Sequence, residues 1–156
     1  MNWDALGAVG EIIGAFAVVV TLIYLANQIR SQNRESRIAS VHELSVAFRG
    51  AIMSFQNPNL ADVFVRAKTG FLELSEPERL QFISMIQQIF RVWEDAYYQY
   101  QENRLDERIW KSMVVQFSFY LSLDGVCRVW EIRKQAYSDD FREFVDDTAA
   151  RDYLSN

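Results

Sequence analysis

The stretch from Leu6 to Ile29, LGAVGEIIGAFAVVVTLIYLANQI, puts apolar side chains on every face of any helix it forms, whereas the chain after it is amphipathic. As a helix it rises roughly 36 Å, enough to cross a hydrocarbon layer of about 30 Å with some tilt. Its uninterrupted part runs only from Ile12 to Ala26, so a crossing must admit Glu11 and the small residues before it into the bilayer. The sequence therefore predicts an all-α protein with a transmembrane helix over residues 1–30. A cytoplasmic bundle of about five helices over 31–156 is expected to follow.

The charges around the stretch set its expected direction. Asp4 precedes it with no Lys or Arg, and Arg30, Arg34 and Arg37 follow at once. Positive charge collects on the cytoplasmic side of a membrane, so a single pass with the N-terminus outside is expected. Trp3 and Tyr24 are expected near the two headgroup layers, and with the three arginines they make up the membrane-interface set. A secretory signal peptide needs positive charge before the apolar run and a small-residue cleavage site after it, and neither is present. The remaining rival is the central helix of a soluble bundle, apolar all round because other helices cover it.

Glu11 is the residue of greatest interest in the span. A carboxylate in hydrocarbon costs on the order of 2.5–3.5 kcal/mol on insertion scales, so it is expected to face a partner helix, a watery cavity or the interface. At helical spacing Gly7, Glu11, Gly14, Val18 and Thr21 share one side, and Gly10 with Gly14 forms a small-xxx-small pair. That side is the natural packing face, which predicts a homo-oligomer. Two roles for Glu11 follow: a carboxyl held in a helix contact, or a ring of Glu11 side chains lining a cation or proton path.

The 156 residues suit one soluble domain, since roughly 125 remain after the span, enough for a modest core. All sixteen Lys and Arg lie from Arg30 onward against nineteen acids, Asp4 and Glu11 lying earlier, for a balance near −3. A nucleic-acid binder usually shows a basic face, so nucleic acid is not an expected partner. Cys127 stands alone and is expected to be a small core residue in a reducing compartment.

After the span, Ser31 to Arg37 contains no Pro or Gly, so the helix is free to continue. Ile38, Val41, Leu44, Phe48, Ile52 and Phe55 recur at three and four, a helical stripe with a short heptad seam, and His42 lies beside it. Asn57-Pro58-Asn59 breaks the helix. A short helix from about Leu60 to Lys68 is expected to close at Gly70 in a left-handed cap. Ser75-Glu76-Pro77-Glu78 starts a long helix to about Glu102, with an apolar face of Leu80, Ile83, Ile86, Phe90, Trp93 and Tyr97. Leu105-Asp106-Glu107 opens another, with Ile109, Trp110, Met113, Val114, Phe117 and Tyr120 inward, ending near Ser122 to Gly125. A helix from about Val126 to Ala136 carries Val129, Trp130 and Ile132. Ser138-Asp139-Asp140 caps the last helix, and the tail from Thr148 is expected to fray.

The usual chemistry is missing from this sequence. It has no phosphate-cradling glycine loop, no cysteine pair for zinc and no second histidine for a metal or proton relay. Any Ser–His–Asp set must use His42, and no serine sits in a nucleophile elbow. Glu94-Asp95 before Tyr97-Tyr98 invites a catalytic reading, but neighbouring acids on a helix point about 100° apart. A solvated or hydrogen-bonded role is expected for them, with no catalytic residue, metal or cofactor. The dense aromatics from Phe90 to Tyr120 are expected to pack as core.

The run Glu11-Ile12-Ile13-Gly14-Ala15-Phe16-Ala17-Val18-Val19-Val20, the following Leu22-Ile23-Tyr24-Leu25-Ala26-Asn27-Gln28-Ile29-Arg30 and the later Trp93-Glu94-Asp95-Ala96-Tyr97-Tyr98-Gln99-Tyr100 resemble a family of small uncharacterised bacterial proteins. Its members are single-pass membrane proteins with an N-terminal transmembrane helix and a helical cytoplasmic domain. The resemblance implies the bacterial inner membrane and this topology, and implies no reaction. The expected function is therefore a scaffold, accessory subunit or regulator that homo-oligomerises among membrane lipid and other membrane proteins. A small homo-oligomeric channel with Glu11 in its pore is the alternative.

Overall fold

The computed structural model describes residues 3–150 of the 156. Among them there are six α-helices and no strand: α1 Trp3–Met53, α2 Pro58–Gly70, α3 Glu76–Gln101, α4 Glu107–Leu121, α5 Asp124–Arg133 and α6 Asp139–Ala150. The chain divides into two compact units, Met1–Ile38 and Ala39–Asn156. Nothing between Arg30 and Ile38 interrupts the backbone ladder of α1, which has neither Pro nor Gly there.

In the first unit, α1 is long and apolar enough to cross a membrane, and none of its most apolar window is buried. Ile12 and Phe16 are each 70% exposed.

In the second unit, the end of α1 lays Leu44 and Ala51 into the core, with Val41, Phe48 and Phe55 half-buried beside them. The expected stripe is displaced at its edges. Ile38 and Ile52 are exposed, and Ser40 is fully covered, because 40, 44 and 51 share a side at about 3.6 residues per turn. Asn57 then caps α2, its side chain accepting from the Asn59 N–H at 2.9 Å, with Pro58 in the first turn. Gly70 does not form the expected left-handed cap. Its φ is −132°, and the chain passes directly into a 3-10 turn at Phe71–Glu73 that buries Phe71.

The start of α3 is tied to α2. The Glu78 carboxylate accepts from the Ser75 N–H at 2.9 Å and from the Ser75 hydroxyl at 2.7 Å, and its other oxygen meets Arg66 at 2.5 Å. The Arg66 bond and the two from Ser75 pull the Glu78 carboxyl from the ordinary 4.5 down to about 2. A carboxyl lowered in the folded state stabilises fully above its unfolded value and ceases to do so as it protonates. Melting temperature is thus expected to fall as pH drops from about 4.5 to 2. Glu78→Gln is expected to flatten that part of an acid titration followed by circular dichroism. An identical slope in the variant would place the acid sensitivity elsewhere.

Helix α3 is the hub of the second unit, with Phe82, Ile86, Trp93 and Ala96 fully covered. The Trp93 ring stacks on Phe117 of α4 at 4.6 Å and 4°, and meets Phe141 of α6 edge-on at 5.6 Å. Leu80, placed on the apolar face by its spacing, is 62% exposed. Ile109 and Ile132 are likewise exposed at the rims of α4 and α5. Asp106 caps α4 by accepting from the Arg108 N–H at 2.9 Å. Thr148, assigned by its polarity to the tail, is buried in α6, its hydroxyl donating to the Phe144 carbonyl at 2.8 Å. The tail from residue 151 lies outside the described residues.

Candidate functional site

The span carries the first candidate site. At about 100° per residue Gly7, Gly10, Glu11, Gly14, Val18 and Thr21 fall within a sector about 100° wide. All six are exposed on the single chain. A Cβ added at Gly7, Gly10 or Gly14 would meet nothing within 4 Å, so the sector is a shallow open face without side-chain cover. The Thr21 hydroxyl donates back to the Ala17 carbonyl at 2.8 Å, which hides its polar atom along the helix. Trp3 and Tyr24 project outward at 70% and 65% exposure, and Arg30, Arg34 and Arg37 are all exposed.

The second unit holds a polar clasp. One Glu94 oxygen accepts from the Ser138 N–H at 3.1 Å and hydroxyl at 3.2 Å, and the other pairs with Arg91 at 2.6 Å. Arg91 also donates to the Ala136 carbonyl at 2.9 Å and lies 4.4 Å from the centre of the Tyr137 ring. The Tyr98 hydroxyl donates to that of Ser138 at 2.6 Å. Burial pushes Tyr137 up to about 12 even under the Arg91 charge. Glu94 therefore works as a hydrogen-bonded cap for the start of α6. Its neighbour Asp95 is exposed to solvent and does not join it in a shared site.

The other chemistry-bearing residues do not converge. His42 lies exposed on α1 with no second histidine to join it. Partial burial raises the Cys127 thiol, the opposite of what a reactive thiolate needs. Among the described residues no group of three His, Cys, Asp or Glu is placed to hold a metal ion. Of the aromatics, Phe90, Trp93, Tyr97, Trp110 and Phe117 are buried against one another, while Phe119 and Tyr98 lie exposed at its edge.

The sequence marks both ends of the clasp separately but not their union, because 44 residues separate Glu94 from Ser138. The Ser-Asp-Asp cap motif signals that a helix begins there, and a carboxylate reaching in from another helix leaves no local trace. The same holds for Trp130, whose indole N–H donates to Asp146 at 2.7 Å across two helices. Comparison of the chain with protein-family models, with characterised proteins and with solved structures finds no match.

Proposed function

We propose that this is a bacterial inner-membrane protein, anchored by the first part of α1 with its N-terminus outside and its helical bundle in the cytoplasm. It self-associates through the glycine face of the span and through its cytoplasmic helices, and serves as a scaffold, accessory subunit or regulator rather than as an enzyme. Its partners are membrane lipid, further copies of itself and other membrane proteins. The observation that carries this reading is the open sector around Gly7, Gly10 and Gly14. Three glycines with free space over each Cβ position allow two backbones to approach closely, and contact there takes the Glu11 carboxyl off the acyl chains. The arginines that follow the span support the direction of insertion.

Gly14→Leu fills that sector with a branched side chain. In detergent, the wild-type particle is expected at a multiple of the 18.2 kDa chain mass and the variant at the single-chain mass, read by light scattering with detergent subtracted. An unchanged particle mass in the variant would remove the glycine face as the contact.

A further inference from the structure

The arginines that end the span form a stripe. Arg30, Arg34 and Arg37 recur at four and three, so they fall within about 60° of one another on successive turns of α1, over a rise of about 10 Å. All three are exposed, and no ion pair engages them among the described residues. The nearest acid in sequence, Glu35, lies about 140° around the axis from Arg30. It accepts instead from the Ser31 hydroxyl at 3.2 Å. The stripe is therefore three unneutralised guanidinium groups side by side, within roughly one Debye length of each other at physiological salt.

Towards the N-terminus the same face is wholly apolar. Counting back by helical spacing, the arginine sector continues as Ile23, Val19 and Phe16. These three side chains are 58%, 52% and 70% exposed. One face of the helix thus presents a cationic head above an apolar strip, matching a phospholipid with its phosphodiester uppermost. This face is also turned about 160° from the sector of Glu11 and the glycines, so association through that sector leaves it pointing into lipid.

We propose that Arg30, Arg34 and Arg37 form a binding site for the headgroup of an anionic phospholipid, whose acyl chain lies along Ile23, Val19 and Phe16. Guanidinium groups pair with phosphate oxygens through two parallel N–H bonds, and three on one face favour an anionic lipid over a zwitterionic one, whose own ammonium they repel. The inference rests on the membrane reading of the span.

Both are tested on the full chain. Flotation with vesicles of pure phosphatidylcholine tests insertion, which does not need the arginines; a chain that stays at the bottom overturns the membrane reading itself. Lipid retention is then counted by native mass spectrometry from micelles holding equal phosphatidylglycerol and phosphatidylcholine. A preference for phosphatidylglycerol of about tenfold or more is expected, since each arginine near an anionic surface contributes about fivefold. In Arg30→Gln/Arg34→Gln/Arg37→Gln it is expected to fall to near unity. A second variant keeps the charge and moves it: Arg34→Gln with Gln32→Arg, and Arg37→Ser with Ser36→Arg. Loss of preference there supports a one-face site, whereas full preference shows that total charge alone acts and overturns it. A chain that floats without any preference, or one whose lipid is displaced by excess inorganic phosphate, also overturns the inference.

Discussion

Trp93→Ala is expected to lower the stability of the bundle by about 3–5 kcal/mol, the range for emptying a covered aromatic site. For a unit of this size that is a fall of about 12–20 °C in melting temperature, measurable by circular dichroism on the full chain in detergent. The effect is large because Trp93 is fully covered at the crossing of three helices, stacked on Phe117 and edge-on to both Phe141 and Phe144. Its removal leaves those rings facing a void that they cannot close without moving α4 and α6. Trp93→Phe is expected to cost less than half as much. It keeps an aromatic face for Phe117 and also removes the indole N–H, which is buried without a hydrogen-bond partner among the described residues. Equal losses in the two variants would show that the phenyl face restores nothing and that the site depends on the whole indole.

Gly125→Ala is expected to cost about 3 kcal/mol, the upper end of the usual range for overpacking, or about 12 °C in the same melt. A Cβ at Gly125 would lie 2.1 Å from the Ala67 carbonyl oxygen and 2.9 Å from its carbon. Those are backbone atoms of α2, so no rotamer change relieves the clash and the two helices must separate. Gly70→Ala is the matched control. There the nearest atom is the tip of the Glu73 side chain at 3.1 Å, which can swing away, and φ is negative, so the variant is expected to melt within a few degrees of wild type. Should Gly125→Ala melt with it, the close approach of α2 and α5 is wrong.

These two positions also mark what the sequence discloses and what it withholds. Helix boundaries are legible wherever the signal is a hydrogen bond to a near neighbour. Asn57 with Pro58, Ser75 with Glu78, and Asp106 each cap within three residues. The core is legible in kind, since helical spacing marks Phe82 to Tyr97 as one face. It is less legible in extent, because whether Leu80, Ile109 or Ile132 is covered depends on where a neighbouring helix ends. Gly125 reads in sequence as part of a helix terminus, and only the crossing with α2 shows why a side chain does not fit there. Gly70 carries the usual signal for a left-handed cap, but the 3-10 turn that follows takes up the change of direction. In the span, spacing alone gathers the glycines and Glu11 into one sector, and the structure adds that this sector is open.

The Glu94 clasp has a consequence for how the bundle comes apart. The last helix of a domain is ordinarily the first to be lost, because only its own end holds it. Here the first turn of α6 is moored to α3 by a carboxylate that is itself held by Arg91, and peeling it away strips Glu94 of two donors while its charge remains against the helix. Transient opening at this end is thereby penalised electrostatically, and α6 is released together with the hub rather than before it.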